Sequence, residues 1–156
     1  MNDVKERIAE HPFFQGMTPI QLSVAGECAS ETAFGKDEIL FREGEPADRF
    51  FLLEAGSIAL ETQVPGNGVA RVGRLAPGEV LGWSWLFPPF VWHLQARALE
   101  PVKAIVLSGA HLLIAAERDR AFGFELMKRV SQVVIQRLQA VRREWVALQA
   151  QSERAP

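Results

Sequence analysis

The chain has 156 residues, 48% of them hydrophobic and 23% charged, which suits one domain with its own core. A formal net charge of −2 argues against a basic nucleic-acid-binding face, and a single cysteine, Cys28, excludes an intramolecular disulfide or a cysteine-based zinc site. The polar N-terminus lacks a signal-like apolar stretch and no run is long enough to span a bilayer, so a cytoplasmic protein is expected.

In chain order, residues 4–10 read as a short helix broken by His11-Pro12. Thr18-Pro19 then supplies an N-cap and a proline at the first helical position, predicting a second helix over residues 19–29 with Cys28 as a small core residue on it. From residue 31 to 108 short apolar stretches alternate with turns at Gly35-Lys36-Asp37, Glu43-Gly44-Glu45-Pro46, Ala55-Gly56, Pro65-Gly66-Asn67-Gly68, Ala76-Pro77-Gly78 and Glu100-Pro101. Such spacing indicates an antiparallel sandwich or barrel, with Pro65-Gly66-Asn67-Gly68 an exposed hairpin tip. Ser108 caps a predicted helix over residues 109–117, and a long helix follows over residues 121–151.

Within that last helix Met127, Ser131, Val134, Leu138, Val141, Trp145 and Leu148 recur in steps of four and three. A seam of this kind predicts pairing with a second copy of the helix. A second edge, Leu126, Val130, Val133 and Ile135, is expected to cover the mouth of the β-structure. The alternative is a monomer whose terminal helix lies entirely on its own β-structure.

Nothing in the chain points to catalysis. His11, His93 and His111 are too widely separated for a metal-ligand pattern, Ser84 lies outside a nucleophile elbow, and Glu43, Glu45 and Asp48 read as a solvated acidic turn. No metal, catalytic residue or cofactor is expected.

The run Phe34-Gly35-Lys36-Asp37-Glu38-Ile39-Leu40-Phe41-Arg42-Glu43-Gly44-Glu45-Pro46-Ala47-Asp48, the run Phe51-Leu52-Leu53-Glu54-Ala55-Gly56-Ser57-Ile58, and the stretch from Gly78-Glu79-Val80-Leu81-Gly82 through Trp92-His93-Leu94-Gln95-Ala96-Arg97-Ala98-Leu99-Glu100 resemble the cyclic-nucleotide-binding domain of catabolite-activator-like regulators. The likeness runs from about residue 11 to residue 149. It implies a mainly β fold, an eight-stranded antiparallel β-roll of jelly-roll type (residues 31–108) between N-terminal helices (residues 1–30) and C-terminal helices (residues 109–151), all in one domain. It also implies a homodimer through the long helix. The family's regulators continue into a helix-turn-helix, whereas this chain ends at Gln151-Ser152-Glu153-Arg154-Ala155-Pro156, so no direct DNA binding is expected.

By the same resemblance the candidate pocket comprises Gly82, Trp83, Ser84, Trp85, Leu86, Trp92 and His93, with Val141 and Arg142 at the positions that meet the base. Trp83 stands where the family has glutamate, Trp85 where it has alanine, Trp92 at the phosphate-binding arginine and His93 at the neighbouring hydroxyl. The Gly82-Trp83-Ser84-Trp85-Leu86 turn could still offer amide donors to an anion, but without the guanidinium. Arg97 lies an odd number of residues from Trp92 and is expected on the opposite strand face, while Arg71 and Arg74 are unplaced substitutes. Cyclic AMP is therefore disfavoured as a ligand. The chain reads as a non-enzymatic sensor or regulatory domain acting on a protein partner, with tryptophans lining a pocket for a flat or apolar small molecule. The alternative is an interaction module whose tryptophans plug the pocket.

Overall fold

The computed structural model describes residues 3–154. Helix α1 spans Val4–Glu10, and α2 spans Pro19–Gly26 behind a capping box in which Thr18 and Gln21 each bond the other's backbone amide. The expected continuation of α2 to residue 29 does not occur. Ala29 already pairs with Leu107 in a sheet, so Glu27 and Cys28 form the turn between helix and strand. Cys28 is thus a half-buried turn residue, its thiol donating to the Ala25 carbonyl at 3.4 Å and its pKa raised chiefly by burial.

Eight antiparallel strands form two four-stranded sheets. The first contains β1 (Ala29–Phe34), β3 (Arg49–Ala55), β6 (Val80–Leu81) and β8 (Val102–Ser108), in the order β1-β8-β3-β6. The second contains β2 (Ile39–Phe41), β4 (Ile58–Val64), β5 (Gly68–Leu75) and β7 (Gln95–Ala98), in the order β2-β7-β4-β5. The β4–β5 hairpin turns at the predicted tip, where Gly66 and Gly68 take positive φ of 80° and 73°.

Strand β3 is buried on both faces, which accounts for its unbroken Phe50-Phe51-Leu52-Leu53 run. Phe51 meets Phe34 and Phe41 inside the roll, whereas Phe50 meets Phe13 and Trp85 on the helix-covered side. Arg7 of α1 binds both Glu54 carboxylate oxygens, at 2.9 and 2.8 Å, and also pairs with Glu31, fastening α1 to β1 and β3. Buried His11 accepts from the Phe13 amide at Nδ1 and contacts the Leu53 carbonyl through Nε2, each at 3.3 Å, so the ring sits as the neutral Nε2–H tautomer. Its pKa is lowered, mainly by burial.

Helix α3 (Gly109–Arg118) starts at Ser108, whose hydroxyl accepts from the His111 amide, and α4 (Arg120–Arg154) follows after Asp119 alone. The Asp119 carboxylate accepts from the Ala121 and Phe122 amides, capping α4. Phe122, Leu126 and Val130 are buried, Val133 packs against the same core, and Arg129 donates to the Phe13 and Gln15 carbonyls at 2.5 and 2.8 Å. Ile135 is exposed, correcting the expected cover edge. Steps of four, three and four from Leu126 reach Val130, Val133 and Arg137, so the roll-facing stripe continues through an arginine.

At 35 residues α4 is about 52 Å long, and residues 141–154 are all exposed. The terminal helix therefore does not lie entirely on its own roll. Leu138 is 57% exposed and Trp145 60%.

Candidate functional site

The segment of residues 78–93 is organised by two glycines. Gly78, at φ 93°, turns the chain into β6, and Gly82, at φ 90°, turns it out again. A Cβ on Gly82 would lie 2.8 Å from the Arg49 carbonyl oxygen and 2.9 Å from the Trp92 ring, so glycine is also needed for space. A single 3-10 turn, Ser84–Leu86, follows.

The tryptophans occupy different places. Trp92 is held in register by backbone bonds in both directions, its amide donating to the Glu45 carbonyl and its carbonyl accepting from Gly44. Its ring is buried inside the roll and stacks on Phe41 with centroids 3.9 Å apart and planes 15° from parallel. Trp85, grouped with the pocket on sequence grounds, instead lies on the helix-covered side of β3. There it meets Phe50 edge-on and donates its indole N–H to the Gly82 carbonyl at 2.6 Å. A Cβ on Gly109 would fall 2.5 Å from Trp85 Cγ, so this ring sits directly against the start of α3. Trp83 is half-buried at the mouth.

Over Trp83 lies Arg137 of α4, its guanidinium carbon 4.3 Å from the ring centroid and its Nη2 donating to the Val80 carbonyl. Its Nε is buried without a partner. Burial lowers the guanidinium pKa to about 10, with Glu79 partly opposing the shift.

These groups enclose a cavity of about 90 Å³ lined by Phe41, Leu60, Leu81, Gly82, Trp83, Ser84, Trp92, His93, Leu94 and Arg137. It is well below the roughly 300–1,000 Å³ usual for ligand pockets. Of the residues predicted for the site, Gly82, Trp83, Ser84, Trp92 and His93 converge on this cavity. Trp85 and Leu86 do not, and exposed Val141 and Arg142 lie farther along α4, beyond the roll. Sequence reasoning missed Arg137, although the stripe of residues 126, 130, 133 and 137 pointed to it. Arg97 bonds to Glu61 and to the Asp37 carbonyl, while Arg71 and Arg74 are exposed on β5; none lines the cavity.

The acidic turn does more than face solvent. Glu43 accepts from the Thr62 hydroxyl and Glu45 from the Arg42 amide, bracing the loop that holds Trp92. A wider groove of about 510 Å³ lies outside, between residues 12–15, residues 78–80 and α4. It shares only Arg137 with the inner cavity.

The sequence profile of the cyclic nucleotide-binding domain matches residues 31–119, more than half of the chain. The chain belongs to the cyclic nucleotide-binding domain family. This domain is a non-catalytic sensor and regulatory module. The present cyclic nucleotide-binding domain is 31% identical over 130 residues to cyclic nucleotide-gated ion channel 2 of Arabidopsis thaliana, and 23% identical over 100 residues to a CRP-like cAMP-activated global transcriptional regulator of Mycobacterium tuberculosis. These alignments cover 77% and 64% of the chain but only 18% and 45% of the two relatives. A putative cyclic nucleotide-binding protein from Geobacter metallireducens superposes with a TM-score of 0.80 at 30% identity, covering 88% of this chain and 99% of that one. Among the described residues no helix is long and apolar enough to cross a membrane, and no cluster of His, Cys, Asp and Glu could hold a metal ion.

Proposed function

We propose that this domain is a sensor that pairs with a second copy through α4, regulates a protein partner, and is not an ordinary cyclic AMP receptor. One observation carries the ligand part of this reading. The position that the family resemblance gives to the phosphate-binding arginine holds Trp92, stacked on Phe41, and the remaining space is about 90 Å³. A cyclic nucleotide would need both rings to move, and Arg97, the arginine of the strand that follows, is bonded to Glu61 and does not line the cavity.

The pairing is supported by the exposed seam of Met127, Val134, Leu138, Val141, Trp145 and Leu148 on a helix that outruns its own roll. Trp85 supports coupling between pocket and helices, since it bonds to Gly82 at one end and abuts Gly109 at the other. A ligand acts through this connection only if it favours one arrangement of α3 and α4 over another.

A thermal-shift titration with cyclic AMP and cyclic GMP tests the ligand reading, with little or no stabilisation expected at micromolar concentrations. A saturable rise in melting temperature in that range would overturn it. For the pairing, Val134→Glu with Leu138→Glu should halve the mass seen by sedimentation, and an unchanged mass would remove the seam.

The Trp92–Phe41 stack also favours a second reading, an interaction module with a permanently filled roll. Stabilisation by any compound in a small-molecule screen separates a sensor from such a module.

A further inference from the structure

Arg137 is a partly buried cation whose hydrogen bonds are incomplete. One donor meets the Val80 carbonyl, the guanidinium covers Trp83, and Nε has no partner. A buried unbonded donor is costly, and an arginine presents its donors as a fork that matches a carboxylate. Arg137 is also the residue common to the outer groove and the inner cavity, so it borders both.

Behind it the walls are mostly apolar: Phe41, Leu60, Leu81, Trp92 and Leu94, with Ser84 and His93 as further polar side chains and no carboxylate. The cavity of about 90 Å³ has room for about three water-sized groups. A bare tetrahedral oxyanion would turn unsatisfied oxygens toward aromatic walls, whereas a neutral molecule would leave the guanidinium uncompensated. An anion with a short hydrocarbon tail answers both requirements.

We propose that Arg137 and this cavity form a receptor for a short-chain aliphatic monocarboxylate. The carboxylate is held by Arg137 at the mouth, and the tail lies among Phe41, Leu60, Trp92 and Leu94. Binding draws the guanidinium from Val80 and Trp83 toward the carboxylate and thereby acts on α4, where Leu138 of the exposed seam is the next residue. This deepens the sensor reading and rests on it for its consequence, though not for the binding itself.

Butyrate is the probe, with butyramide as the uncharged equivalent of the same tail and inorganic phosphate as the charge without a tail. Calorimetry should show saturable millimolar or tighter butyrate binding, with the other two at least about tenfold weaker, as the loss of a charge-assisted hydrogen bond implies. The Arg137 Nε–H resonance should move on butyrate addition, and Trp83 fluorescence should change as its cover shifts. Arg137→Gln should weaken butyrate by about tenfold or more without affecting butyramide, while Arg137→Lys retains part of the affinity. Leu94→Phe keeps the arginine but fills the cavity, and should abolish binding; this gives an independent check if the arginine variants fold poorly.

Absence of saturable butyrate binding overturns the proposal. So does equal affinity for phosphate, or equal affinity of folded Arg137→Gln for butyrate. If butyrate fails while another compound alters α4-mediated association, the receptor falls and the sensor reading stands. If butyrate binds and association does not change, the receptor stands and coupling through α4 falls.

Discussion

Replacing Trp92 with alanine tests whether this side chain fills the roll. The ring is 2% exposed and stacked on Phe41 at 3.9 Å. A tryptophan buries about 150–250 Å², which at about 25 cal/mol per Å² is worth roughly 4–6 kcal/mol. Alanine retains a small part of that area, and the void would join the adjoining cavity of about 90 Å³ rather than stay sealed. Water entry would then moderate the cavity penalty, placing the expected loss at about 3–5 kcal/mol. For a chain of this size that is a fall in melting temperature of about 6–20 °C, at about 2–4 °C per kcal/mol. Urea denaturation followed by circular dichroism measures the free energy, and added indole should restore part of it by refilling the space. A loss below about 1 kcal/mol, with no indole effect, would show that Trp92 is not a core-filling residue.

Other consequences follow from particular contacts. Gly109→Ala would ordinarily stabilise a helix start by about 0.4–1 kcal/mol, but its Cβ would meet the root of Trp85 at 2.5 Å, so a loss of about 1–3 kcal/mol is expected in a melting experiment. A gain would mean that Trp85 shifts freely. Because the His11 pKa is lowered in the folded state, the unfolded chain binds more protons; stability is full above about pH 6.5 and falls as pH drops below it. His11→Gln should flatten this part of the stability–pH curve, and an unchanged slope would exclude His11 as its source. Arg7→Met removes both Glu54 bonds and the Glu31 pair, and should cost about 1–3 kcal/mol in denaturant titration while increasing amide exchange in α1 relative to the roll. Uniform exchange changes would argue against a local fastening role.

The seam and the cover stripe on α4 show how far residue spacing carries. Steps of three and four separated residues that face the roll from residues that remain exposed, since helical geometry repeats on that scale. Ile135 was misplaced because it lies two positions from Val133, on another side of the helix. Cys28 was misplaced because strand pairing with the far end of the roll, Ala29 with Leu107, stopped α2 early. No local propensity contains that partner.

Caps, turns and apolar periodicity by themselves determined where the helices lie and that the middle of the chain is antiparallel β-structure, because these are set by neighbouring residues, while the resemblance of residues 34–58 and 78–100 pointed to the family. That resemblance also implies that Trp92 stands at the position of the phosphate-binding arginine. Only the tertiary structure decided that Trp85 belongs to the α3 contact and Trp92 to the interior, since adjacent residues of β3 send Phe50 and Phe51 to opposite faces, Phe50 meeting Trp85 and Phe51 meeting Phe41, on which Trp92 stacks. It also brought Arg137 onto Val80 and Trp83 from a distant helix. That approach depends on how α4 seats on the roll, through Phe122, Leu126, Val130 and the Arg129 bonds to residues 13 and 15.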